Sequence, residues 1–73
     1  MDIDPNALRD MHLWREGKLF GFRADLFQLI EKATPRQRMK LKLSFPDEYH
    51  SWSTWESSGD VQFKLLCRTL RII

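Results

Sequence analysis

The sequence predicts a small, mainly α domain, and three observations predict it. Prolines at positions 5, 35 and 46 each stand where a helix can open, behind Asp4, Thr34 and Phe45. Proline suits the first helical position because its missing N–H would be unpaired there anyway. Apolar residues from Phe22 to Ala33 recur at helical spacing. No β-branched residue occurs between Arg36 and Phe45, a stretch rich in good helix formers.

Taken in order, Asp4 caps a first helix from about Pro5 to Glu16, with Ala7, Met11 and Trp14 on one face and Gly17 as its stop. The apolar stripe is narrow, and a helix of about twelve residues is marginal without packing, so this element is expected to be the less stable one. KLFGF, residues 18 to 22, reads as an apolar connector. The next helix, 22 to 33, gathers Phe22, Leu26, Leu29, Ile30 and Ala33 on one face, with Asp25 in its first turn and Lys32 in its last, as the helix dipole favours.

Residues 35 to 45 can be read in two ways. Met39, Leu41, Leu43 and Phe45 alternate with Lys40, Lys42 and Ser44, the period of a half-buried strand. Thr34-Pro35 is a helix opening, and Met39 with Leu43, or Leu41 with Phe45, are i, i+4 pairs. Propensity and capping favour a helix over 35 to 44. Pro46 then opens another over 46 to 57, with Asp47 and Glu48 in its first turn and Ser57-Ser58-Gly59-Asp60 ending it. VQFKLLCRTLRII, residues 61 to 73, fits a strand over its first half and a helix over its full length. The expected architecture is a three-helix core within about residues 18 to 58, a less stable N-terminal helix, and a partly flexible or partner-ordered tail over 61 to 73. The alternative is α+β, with residues 38 to 45 and 61 to 67 paired as antiparallel strands.

Composition bounds the function. At 73 residues the chain is one domain, and a domain of this size buries only about 60% of its unfolded surface. That leaves little room for a catalytic pocket beside a core. Hydrophobic residues at 42% and charged residues at 30% suit a folded chain rather than a disordered one. The single Cys67 allows no internal disulfide, which fits a reducing cytoplasm. No apolar run approaches the ~20 residues of a membrane span. MDIDPNALRD lacks the basic start and apolar centre of a secretion signal. A cytoplasmic monomer without membrane contact is therefore expected.

Charge is segregated. The net charge is only +2, yet residues 32 to 42 hold five cations (Lys32, Arg36, Arg38, Lys40, Lys42) and no anion. Residues 43 to 60 hold four anions and no cation, and residues 61 to 73 hold Lys64, Arg68 and Arg71 with no anion. Such blocks either match one another within the fold or meet a charged partner.

No metal or catalytic motif is present. His12 and His50 lie far apart, and one cysteine cannot build the usual zinc spacing. A nucleophile elbow, phosphate loop or HExxH is lacking. The chain is expected to be non-enzymatic, with no cofactor and no small-molecule substrate. Trp52 and Trp55 are read either as core residues packed on the helix 22 to 33 or as aromatic anchors for a partner, since tryptophan is over-represented at binding hot spots. The block Arg36 to Lys42 is read either as a solvated face or as a contact with phosphates or an acidic protein surface. A net +2 beside an anionic block is poor for phosphate steering, and Pro35 and Pro46 interrupt a helix-turn-helix pattern. The tail, with apolar anchors among its cations, suits a protein groove.

LIEKA (29–33), TPRQR (34–38) and FPDE (45–48) followed by a tryptophan resemble helical pieces of many small phage-encoded proteins. Over its whole length, MDIDPNALRD to LCRTLRII, the chain resembles the small transcription regulators of lytic phages, that of a Xanthomonas phage in particular. The resemblance implies a protein that binds the β and β′ subunits of the host bacterial RNA polymerase in the infected cell's cytoplasm. It implies that initiation is blocked by displacing the σ factor, with a link to antitermination. The residues expected to touch a partner, from charge and amphipathicity, are Arg36, Arg38, Lys40 and Lys42 on the core, Trp52 and Trp55, and Lys64, Leu66, Arg68, Leu70 and Arg71 on the tail. On this reading, deleting residues 61 to 73 leaves the core folded and weakens inhibition. The rival reading is a small basic nucleic-acid-binding repressor, with direct nucleic-acid contact open but not favoured.

Overall fold

The computed structural model describes residues 4 to 73; the first three residues of the MDIDPNALRD stretch lie outside the described residues. Among the described residues four helices follow one another: α1 (Pro5–Arg15), α2 (Phe22–Lys32), α3 (Pro35–Ser44) and α4 (Pro46–Thr69). Among the described residues there is no strand, so the α+β alternative is set aside. No described helix is long and apolar enough to cross a membrane.

The punctuation works as the residue chemistry dictates. The Asp4 side chain accepts a hydrogen bond from the Asn6 N–H at 3.1 Å, and Pro5 follows. At the far end of α1, Gly17 takes φ +73°, and the Lys18 N–H closes back on the Leu13 carbonyl at 2.8 Å. This left-handed residue followed by a six-residue closure is the common helix stop. Thr34 forms a reciprocal cap: its hydroxyl accepts from the Gln37 N–H and the Gln37 side chain accepts from the Thr34 N–H. Phe45 (φ −135°, ψ 67°) breaks the chain between α3 and α4, as a residue before proline must.

α4 is two helical segments joined at Gly59, whose φ of +83° and ψ of 169° are open essentially only to glycine. The sequence reading placed the end of this helix at the Ser57-Ser58-Gly59 stretch. Gly59 does break it there, but a second segment starts at once and runs to Thr69. That segment ends in a stop like that of α1: Arg71 takes φ +58°, and the Ile72 N–H bonds the Cys67 carbonyl at 2.9 Å.

The core is built from every helix except α3. Leu8 and Met11 come from α1, Leu26, Phe27 and Ile30 from α2, and Trp52, Phe63 and Cys67 from α4. Phe27, Ile30, Met11 and Cys67 are fully enclosed. Trp14, Leu19, Leu41, Phe45, Trp55 and Ile72 pack around this centre. α1 and the last segment of α4 therefore both contribute to the core, outside the span of 18 to 58 read from the sequence. The reason is the phase of the last segment, which turns Phe63 and Cys67 inward together. Arg23 ties three helices at a partly buried point, donating to Asp10 of α1 at 2.9 Å and to Glu48 of α4 at 2.8 Å. Burial works against its charge, but the two carboxylates outweigh it and raise its pKa above the usual guanidinium value.

Candidate functional site

α3 has no buried residue, so it presents most of its circumference to solvent. At 100° per residue, Arg38, Leu41 and Phe45 fall on one side, and Arg36, Met39, Lys40 and Leu43 on the other. The inward side anchors the helix. Arg38 Nε donates to the Ile30 carbonyl at 2.9 Å and a terminal N–H to the Glu31 carbonyl at 2.9 Å. Both carbonyls lie in the last turn of α2, where acceptors lack a full set of helical partners; that of Ile30 also accepts from the Ala33 N–H at 3.3 Å. The guanidinium also lies 4.5 Å from the Trp52 ring centre, a cation–π distance. Lys42 reaches over Tyr49 at 5.6 Å.

The outward side is apolar and cationic at once. Met39 is 61% exposed and Leu43 83% exposed, flanked by exposed Arg36 and Lys40. The alternation in MKLKLSF was thus a true signal of two faces but not of a buried and a wet one. Leu41 and Phe45 pack inward, whereas Met39 and Leu43 face water beside the cations.

A second face of the same composition lies on the last segment of α4. Phe63 and Cys67 point inward, which turns Val61, Lys64, Leu65 and Arg68 outward. All four are exposed. Among the described residues, none of Arg36, Lys40, Lys42, Lys64, Arg68 and Arg71 is in an ion pair.

Three of the expected partner-binding residues make contacts within the fold. Arg38 is spent on the α2 terminus. Trp52 is buried, and its indole N–H donates to Glu31 at 2.7 Å. Trp55 is half-buried, edge-on to Trp14, with the Arg15 guanidinium 4.3 Å from its ring centre and its N–H on Asp60 at 2.6 Å. The hydrogen bonds from Arg15 and Trp55 hold the Asp60 carboxyl below its ordinary value of 3.8. Leu66 is half-buried and Leu70 is exposed. The apolar exposed residues Met39, Leu43, Val61 and Leu65 were missed as surface groups, because helical spacing alone does not say which of two stripes faces inward.

Where α2 gives way to α3, a shallow depression of about 280 Å³ is lined by Leu29, Ala33, Gln37, Lys40 and Leu41. It exists because α3 packs on α4 and hardly on α2. Burial pushes the Cys67 thiol up, which keeps it neutral. Among the described residues, no three of His, Cys, Asp and Glu gather as a metal set. No protein family, characterised protein or solved structure matches the chain.

Proposed function

We propose that the chain is a non-catalytic protein-binding regulator whose two cationic–apolar helix faces dock on host bacterial RNA polymerase. The observation that carries this reading is the outward side of α3, where Met39 and Leu43 stand in water beside Arg36 and Lys40. Exposed apolar groups rimmed by polar ones mark protein-interaction surfaces, and unpaired cations steer association with an acidic partner. The outward side of the last α4 segment supplies a second contact through Val61, Lys64, Leu65 and Arg68. Two contacts made by one small rigid body reinforce each other through effective concentration. The polymerase, engagement of its β and β′ subunits, σ displacement and the link to antitermination come from the likeness to the phage regulators. Competition for a shared surface accounts for σ displacement by mass action.

Size-exclusion chromatography of the protein with core RNA polymerase from a Xanthomonas host, without DNA, tests the reading. Co-elution that is lost on Lys40→Glu with Leu43→Glu is the expected result. Absence of co-elution overturns it. Binding to duplex DNA whose logarithm falls steeply and linearly with the logarithm of salt moves the function to the nucleic-acid class.

A further inference from the structure

We propose that the groove between α2 and α3 seats an acidic amphipathic helix of the partner protein; this rests on the protein-binding reading above. The floor is aliphatic: Leu29 of α2 and Ala33, the residue that ends it, lie beside Leu41 of α3. A second shallow depression, lined by Asp25, Gln28, Leu29 and Lys32, adjoins it at Leu29. Together they make a trough along the outer side of α2 from Asp25 to Ala33. At 1.5 Å per residue this is about 12 Å long, the span of apolar anchors at i and i+7 on a docked helix.

Charge selects the occupant. Lys32 and Lys40 line the trough, and among the described residues neither is in an ion pair. Asp25, at the far end, is the one acidic group lining it. A second copy of this chain placed face to face across the groove would set these cations against their own equivalents, which opposes self-association. A nucleic acid would find cations on the rim but no aromatic platform, since the floor is Leu29, Ala33 and Leu41. A helix with leucines on one side and glutamates flanking them satisfies both the floor and the rim.

The probe is a fluorescein-labelled amphipathic peptide of about 18 residues, long enough to form a helix. It carries leucine at i, i+4, i+7 and i+11 and glutamate at the flanking positions. Its controls are a scrambled peptide of the same composition and the lysine-for-glutamate peptide. Fluorescence anisotropy is expected to show saturable binding, with both controls at least about tenfold weaker. Leu29→Gln and Lys40→Glu each weaken binding by about tenfold, as loss of an anchor does, whereas Arg9→Glu on α1 leaves it unchanged. Circular dichroism melts confirm that these exposed-site variants fold. The proposal is overturned by equal binding of the scrambled peptide, by no saturable binding, by indifference to Leu29→Gln and Lys40→Glu, or by displacement of the peptide by random-sequence duplex DNA. The polymerase experiment separates the two claims. Co-elution that survives Leu29→Gln overturns the groove and leaves the polymerase reading standing. Specific peptide binding without co-elution does the reverse.

Discussion

Replacing Arg38 tests whether one cation of the basic block is structural while its neighbours are free. Its two hydrogen bonds to the Ile30 and Glu31 carbonyls are charge-assisted, a class with a net contribution of roughly 1.5–3 kcal/mol each. The arginine is half-exposed, and both carbonyls gain access to water once it is removed, so the lower part of that range applies to the pair together. The stacking on Trp52 adds about 0.5–1 kcal/mol. Arg38→Ala is therefore expected to cost about 2–3 kcal/mol. Unfolding entropy for 73 residues is about 0.15 kcal/mol/K, so the melting temperature falls by about 15 °C. Arg38→Lys keeps the charge at the α2 terminus but not the paired donors and recovers about half. Arg36→Ala removes the same charge from an exposed position and changes stability by less than about 0.5 kcal/mol. Urea denaturation followed by tryptophan fluorescence measures all three. Equal stabilities for Arg38→Ala and Arg36→Ala would refute the assignment of Arg38 to the fold.

Phe63→Ala is expected to cost about 3–5 kcal/mol, most of the stability of a domain this small. Deleting residues 61 to 73 then unfolds the core, contrary to the expectation from sequence, and circular dichroism distinguishes the two outcomes. Gly59→Ala meets no neighbouring atom within 4 Å, so its cost of about 1–3 kcal/mol is backbone strain alone and reads out in the urea midpoint. Asp60, with its pKa depressed in the folded state, contributes stability that is present above its ordinary value of 3.8 and is lost as pH falls through the lower folded value. Asp60→Asn therefore loses less stability than the wild type between pH 5 and pH 2, measured by urea melts across that window.

Helix identity was legible because local chemistry settles it. Pro5, Pro35 and Pro46 open helices where they stand and Thr34 caps, but the phase of the Phe22 to Ala33 stripe is shifted: Leu26, Phe27, Ile30 and Ala33 face the core, whereas Phe22 and Leu29 are exposed. The last segment was harder, because Val61, Phe63, Leu65 and Cys67 fit a strand as well as a helix. Its end was harder still: Arg71 sits in a left-handed conformation that glycine usually fills, and packing of Ile72 on the core accompanies it. The candidate site was legible in its charges but not in its sorting. Lys40 and Arg36 stay exposed while Arg38 turns inward, because only the three-dimensional structure brings the Ile30 and Glu31 carbonyls beside it. Trp52 and Trp55 were found as a pair, but their partners, Glu31 and Asp60, lie 21 and 5 residues away in sequence, and the Glu31 contact is made only by folding.

Photo-crosslinking from position 43 tests the central claim most directly. Benzoylphenylalanine replaces Leu43, which is 83% exposed on the outward side of α3, and the protein is irradiated with core polymerase and with σ-bound polymerase. A crosslink to β or β′ in core enzyme, diminished by σ and absent when the same group replaces Asn6 on α1, is the expected result. Co-elution with polymerase but no crosslink from position 43, or an equal crosslink from position 6, would contradict the account.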